Sequence, residues 1–312
     1  MKSIKLLLTV CILCILASCG KKYTGSGWRY SDDVYVAIDE TFRPIMAEEL
    51  EAFRLQHVES GDKAVYCSED SAIQMLVNDS IRCCVVTRPL SDAETNRVKA
   101  NRLPISKARI ATDAFALIVN KEVADSVLNL EDIKGIVSGK ITRWEQLRYA
   151  TRKGELSLVF DKSGSSTVRY MRDSLLNGQD IKGNVFAQGS NEAVIDLVKK
   201  DAGVIGVVGT NWLKEPKERV LDDFSDLDVK VLKVSRDNDD NPVGFRPYQY
   251  RILTGDYPLT RAVYVISTDP RRGSNVNLFY FFLKGQKGQT ILCNGSQLLP
   301  YSPVQVKSVS AN

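Results

Sequence analysis

Residues 159–172 read VFDKSGSSTVRYMR. Ser163, Gly164, Ser165, Ser166 and Thr167 stand between an apolar, strand-like pair, Val159 and Phe160, and a stretch that places Val168, Met171 and Leu175 on one helical face. Hydroxyls at such a point can do three things. A serine becomes a nucleophile when a base activates it. The free N–H groups of a helix's first turn, joined by hydroxyl donors, can hold an anion. Or the loop turns the chain and caps the helix.

The nucleophile needs a base. His57 is the sole histidine, and it follows Met46, Leu50 and Phe53 at helical spacing. That reads as a packed or partly exposed helix residue. A G-x-S-x-G elbow is absent, because Gly164-Ser165-Ser166-Thr167 lacks the second glycine. Ser60-Gly-Asp-Lys63 and Lys162-Ser163-Gly164 match two of the three penicillin-binding motifs, but no S-x-N lies between them. Gly139-Lys140 is followed by Ile141, which rules out a P-loop. Beyond the N-terminal region, Cys67, Cys83, Cys84 and Cys293 form no C-x-x-C, so a zinc site lacks its spacing. The chain reads as a non-enzyme, with no cofactor and no metal. The anion cradle and the capping turn both stay open.

The N-terminus indicates the compartment. Lys2 and Lys5 precede an apolar run from Leu6 to Ala17, and Leu16-Ala17-Ser18-Cys19 follows. A dozen apolar residues are too few to span a bilayer and fit a signal peptide core. Small residues before a cysteine resemble the lipobox of bacterial lipoproteins, which implies a signal peptide over 1–19 and lipidation at Cys19. Residues 20–31 are polar and glycine-rich and read as a tether. The protein is therefore expected in the cell envelope, lipid-anchored and facing the periplasm. Loss of Lys2 and Lys5 takes the formal charge from +4 to +2, too little for a nucleic-acid partner. Disulfides are chemically permitted there, but the adjacent Cys83 and Cys84 in an apolar strand read as small hydrophobes.

Strands and helices alternate along the rest. Val34–Ile38, Ala64–Cys67 and Arg82–Thr87 read as strands, with a helix from Pro44 through His57 and another opened by a capping box at Ser71–Gln74. Phe115–Val119, Leu156–Phe160, Val204–Val208 and Ala262–Ile266 are further strands. Leu130–Val137, Ala193–Lys199 and the stretch from Asn277 to Leu283 are helical, Trp144 is packed, and Asp222–Asn241 reads as a surface excursion. Such alternation predicts sheets with helices on both faces. Three times a strand ends in hydroxyls ahead of a helix: at Thr41-Phe42, at Ser68–Ser71 and at Ser163–Thr167. In open α/β sheets ligands bind beyond the carboxyl ends of the strands.

Six stretches in order resemble one family. They are Asp113–Asn120 (DAFALIVN), Leu130–Trp144 (LEDIKGIVSGKITRW), Ser163–Thr167 (SGSST), Gly203–Gly206 (GVIG), Tyr257–Arg261 (YPLTR) and Lys287–Ile291 (KGQTI). Together they are similar to the substrate-binding proteins of ABC-type phosphate uptake systems over roughly residues 33–300. The resemblance implies a type II periplasmic binding protein fold: two α/β lobes joined by a two-stranded hinge, lobe I from 32–113 plus 256–312 and lobe II from 114–255. It implies a monomer that binds phosphate or a related tetrahedral oxyanion and delivers it to ABC permease subunits. Carried over by position, the ligand-binding residues are Thr41, Phe42 through its backbone N–H, Ser68, the Thr87-Arg88 pair, and Ser165, Ser166 and Thr167.

Two positions depart from the phosphate-specific pattern. Arg88 stands where an aspartate is expected, and Asp161 where an arginine is expected. The charges look exchanged, so Arg88 and Asp161 are expected to face each other across the cleft, one bonding the anion and the other orienting it or accepting a ligand proton. Arg169 is a second candidate cation, equally readable as a solvated helix residue. Ser68 is readable as a cap alone. An inward-pointing Glu40 would count against phosphate. The alternative is a surface or sensor module of the same fold that binds another small ligand without transport.

Overall fold

A computed structural model describes residues 33–58, 61–213, 224, 227–237 and 242–304. The expected signal peptide, the tether, Cys19 and much of 222–241 lie outside the described residues. The first sheet is built on β1 (Val34–Asp39), paired in parallel with β2 (Asp62–Cys67) and β3 (Cys83–Val86). β12 (Thr260–Ser267) joins β3 antiparallel. It also pairs antiparallel with β4 (Ser106–Asn120). β1 is apolar on both faces because helices cover both. On one side lie α1 (Arg43–Gln56), α8 (Asn275–Lys284) and α9 (Gln286–Gly295), burying Ile45, Leu50, Phe53 and Phe279. On the other lies α2 (Glu69–Val77), whose Ile73 and Leu76 pack on Ala37, Cys84 and Val86.

The fifteen residues of β4 run on into a second sheet. At about 3.4 Å per residue such a strand is roughly 50 Å long, enough to serve two cores. Its Phe115–Ile118 segment pairs with β8 (Val204–Gly209), which pairs in parallel with β6 (Ser157–Phe160), and β6 with β7 (Val185–Ala187). Phe115, Leu117, Trp144, Leu158 and Phe160 form one core of this half. Ala116, Ile118, Val194, Val198 and Val208 form the other, beneath α6 (Asn191–Lys200). β4 and β12 pair Ala114 with Thr260 and Asp113 with Arg261, where the part of the fold built on β1 adjoins the part built on β6 and β8. The halves are called lobe I and lobe II below.

Several local expectations are corrected. The second helix starts at Glu69, and its cap is Ser68, whose Oγ accepts from Ser71 N; Ser71 lies inside the helix, so the box placed at Ser71–Gln74 does not form. The stretch from Asp222 onward is not simply a surface excursion, since Val229–Val231 and Lys233–Ser235 are strands with Val229, Val231 and Val234 buried. Their apolar residues are too few and too closely flanked by Asp and Asn to show in periodicity. Three helices among the described residues have no counterpart in the sequence pattern: α3 (Asp92–Ala100), capped by Ser91 and Glu94, the short helix Gln249–Leu253, and α9. α3 is polar on most faces and buries only Val98 within itself, so it carries almost no amphipathic signal. His57 stacks on Phe53 with ring centroids 4.3 Å apart, and Trp144 is a core residue whose Nε1 donates to Gly203 O. Cys67, Cys83, Cys84 and Cys293 are free thiols. Among the described residues no helix is long and apolar enough to cross a membrane.

Candidate functional site

The carboxyl ends of strands from both lobes meet. From lobe I, β1 ends in Asp39 and a short 3-10 turn, Glu40–Phe42. From lobe II, β6 ends in Asp161 and the Lys162–Ser165 loop, which leads into a helix at Ser166–Tyr170 that continues with wider π-type bonding through Met171–Leu175. Ser165 caps that helix by accepting from Val168 N, and the first-turn amides of Ser166 and Thr167 lie beyond any intrahelical bond. The lobes are bonded directly to each other. Asn211 Nδ2 and Trp212 Nε1 both donate to Thr41 O at 2.8 Å, and Asn191 Nδ2 donates to Glu40 at 3.2 Å. Thr41, Phe42, Asp161, Ser165, Ser166 and Thr167 are all buried.

The cation of this interior is Arg261 on β12. Its Nε donates to Asp113 Oδ2 at 2.9 Å and its Nη1 to Ser166 Oγ at 2.6 Å. The guanidinium lies 4.1 Å from the centroid of Phe115 and 5.3 Å from that of Phe42, so two aromatic faces hold it flat. Nη2 is buried and has no hydrogen-bond partner among the described residues. The same is true of Thr41 Oγ1, Thr167 Oγ1, Asp39 Oδ2, Asp161 Oδ1 and the side-chain oxygens of Asn191 and Asn211. Buried polar atoms of folded proteins are normally bonded. Arg261 appeared in the sequence only within the Tyr257–Arg261 stretch, and its role was not read there.

Acidic groups crowd the same interior. Burial pushes Asp39 up to about 6, against the pull of Arg261. Burial also raises Glu40, with the charge of Asp161 adding to it, and Asn191 partly offsets this. Asp161 is raised by burial, with Ser165 and the backbone at Lys162 pulling it down. Asp113 is raised by burial and partly held down by Arg261. Glu40 is indeed buried, as the case against phosphate required.

The other candidate residues sit nearer the cleft mouth. Both donors of Thr87 go to Glu69 Oε1, from N and from Oγ1, each at 2.6 Å. Thr87 therefore has no donor left for an anion. Arg88 makes a fork onto Glu94, at 2.8 and 2.9 Å, with Asp70 at 3.9 Å. That bonding holds Glu94 down at about 2. Among the described residues Arg88 and Asp161 make no ion pair; the S-x-x-E cap at Ser91–Glu94 places a carboxylate beside Arg88 instead. Ser68 acts as a helix cap and bonds Ser71 Oγ at 2.8 Å. Arg169 is neither solvated nor free: it bonds Glu69 and Thr87.

The comparisons with known proteins agree with this architecture. The curated phosphate-binding protein PstS of Staphylococcus aureus (strain USA300) is 24% identical over 282 residues, covering 88% of this chain and 81% of its own length. A solved phosphate-bound structure from Clostridium perfringens, of a protein assigned as a phosphate ABC transporter substrate-binding protein, superposes with a TM-score of 0.66 at 19% identity, covering 86% of this chain and 100% of that one. An ABC-type phosphate transport receptor from Vibrio cholerae gives a TM-score of 0.61 at 18% identity over 86% and 100%. At these identities the structural likeness carries the fold, which is that of the type II periplasmic binding proteins. The family model described as the PBP superfamily domain matches residues 29–282, most of the chain, and the protein belongs to that family.

Proposed function

We propose that this protein is an extracytoplasmic binding protein for phosphate or a related tetrahedral oxyanion, that it hands the ligand to an ABC permease, and that Cys19 carries a lipid tethering it to the cell envelope. One observation carries the ligand reading. Three buried donors, Thr41 Oγ1, Thr167 Oγ1 and Arg261 Nη2, have no partner among the described residues and belong to elements that converge beside a helix start. Each such group left unbonded costs on the order of 1–3 kcal/mol. An oxyanion between the lobes supplies acceptors to all three. Lobes pivoting where β4 and β12 pair would admit it. The phosphate named for the S. aureus relative fits this chemistry.

The buried carboxylates narrow the ligand. Asp39 and Asp161 each present an oxygen without a partner. A fully deprotonated anion meets repulsion there, whereas a ligand that carries a proton can donate it. Glu40 in the interior favours a second reading, a same-fold module for another small ligand that is not coupled to transport. Calorimetry of the purified protein with phosphate, sulfate and molybdate separates the two. Phosphate binding with weak or absent sulfate binding supports the first. Binding of none of the three by a folded protein sinks it. The anchor is tested separately: wild type should incorporate labelled palmitate and partition into detergent, and Cys19→Ala should do neither.

A further inference from the structure

Arg169 and Glu69 form an ion pair from one lobe to the other. Glu69 opens α2 in lobe I, and its carboxylate is wholly shielded from solvent. Oε1 already accepts twice from Thr87. Oε2 accepts from Arg169 Nε at 2.5 Å, and Arg169 Nη2 donates to Thr87 Oγ1 at 2.8 Å. The order of bonds is forced. Thr87 has one hydroxyl proton, which goes to Glu69, so its oxygen presents a lone pair to Arg169. Burial alone would raise Glu69, but the charge and bonds of Arg169, with those of Thr87, hold it below the ordinary carboxylate range. Glu69 and Thr87 stand preassembled within lobe I, and Arg169 plugs into them from the helix that begins at Ser166. Arg169 also lines a recess of about 350 Å³ together with Asp70, Arg88, Ser163, Ser165 and Arg172.

We propose that Arg169 is a positioning residue that touches no ligand and sets how long the cleft stays shut. Its bonds to Glu69 and Thr87 form only when the lobes meet. They stabilise the closed arrangement without passing through the bound anion. Opening withdraws Arg169 into water and leaves Glu69 with the two bonds from Thr87, so neither charge is stranded in an apolar place. The consequence is kinetic: entry of the anion precedes the plug, while release must break it. The proposal rests on the oxyanion reading given above.

The test uses the full mature protein with inorganic phosphate, followed by stopped-flow tryptophan fluorescence. Trp212 reports closure because its Nε1 bonds Thr41 O across the lobes. Arg169→Gln should speed release about 10- to 100-fold, the loss of a charge-assisted bond, with association changed less than about threefold. Glu69→Gln, which keeps the acceptor for Thr87, should speed release similarly, and the double variant should be no faster than the faster single one. Arg172→Gln, at the rim and paired with Asp173, should release like wild type. Unchanged release in Arg169→Gln overturns the proposal. So does slower release in Glu69→Gln, which would mean that a freed Arg169 grips the anion. If wild type binds no phosphate, the oxyanion reading falls, and ligand-free scattering decides the plug: Arg169→Gln must be more open than wild type, and an equal radius of gyration overturns it.

Discussion

Arg261 and Asp113 are register partners on β12 and β4, and their side chains join at 2.9 Å with almost no exposure to solvent, at the place where the two lobes adjoin. The pair fixes the guanidinium plane so that Nη1 reaches Ser166 in lobe II while Nη2 has no partner among the described residues. A flat fork can serve a carboxylate, a hydroxyl and an anion at once, and an ammonium cannot. Arg261→Lys should therefore keep a charge beside Asp113 and fold, yet lose at least tenfold in phosphate affinity, about 1.4 kcal/mol or more. Arg261→Gln strands Asp113 and should also lower stability by about 3–5 kcal/mol. Calorimetry and thermal melts check both. Wild-type affinity in Arg261→Lys would remove Arg261 from the site.

The sequence carried the site only in part, for physical reasons that Arg261 illustrates. The Ser163–Thr167 loop was legible because a local pattern, strand then hydroxyls then helix, describes it completely. Arg261 depends on partners far away: Asp113 lies 148 residues earlier and Ser166 95 residues earlier. Nothing local marks it beyond the stretch that resembles the family. Arg88 misled for the converse reason. Its true partner, Glu94, stands six residues on and belongs to a helix cap, whereas the position-by-position carry-over pointed across the cleft. Strands apolar on both faces, such as Val34–Asp39 and Val204–Gly209, announced themselves; α3 did not, because it buries too little.

Asp39 gives the site a pH dependence with a definite sign. Its carboxyl is raised to about 6 by burial. Below that value it is neutral, removes one negative charge near Arg261 and gains an O–H donor. Anion affinity should therefore rise as pH falls from about 8 to about 5. Sulfate, whose own charge is constant across that window, isolates the effect: its binding, weak or absent near pH 8, should strengthen toward pH 5. The same shift acts on folding: the stability it contributes is whole below the unfolded value near 3.8 and is lost as pH rises through about 6, on the order of 3 kcal/mol in all. Asp39→Asn should flatten both profiles. A slope that survives the substitution assigns the effect to another group.

Thr41 and Thr167 separate binding from stability. Each hydroxyl is buried and has no partner among the described residues, so its contribution to folding is small or negative. Valine keeps the shape without the donor. Thr167→Val and Thr41→Val should melt at or slightly above the wild-type temperature while each loses about 10- to 100-fold in phosphate affinity, the range for a bond to a charged group. A variant that loses stability but not affinity would show that its hydroxyl serves the fold instead.

Glu49 tests the same physics away from the site. It lies on α1, wholly buried, with neither carboxylate oxygen bonded among the described residues. It packs against the start of α9, where a Cβ on Gly288 would come 3.2 Å from Oε2. Burial raises its pKa well above the ordinary carboxylate value, and the charge of Glu48 adds to the shift. For an acid raised on folding, the stabilising contribution is complete below the unfolded value and is lost as pH climbs through the folded one. Glu49→Gln removes that penalty while keeping size and polarity. At pH 8 the variant should be more stable by at least 1 kcal/mol, a rise of about 2–4 °C in Tm for a chain of this size. At about pH 4, where the acid is neutral folded or unfolded, the two proteins should melt together. Equal melting temperatures at pH 8 would mean that Glu49 gains a partner in solution that offsets its burial.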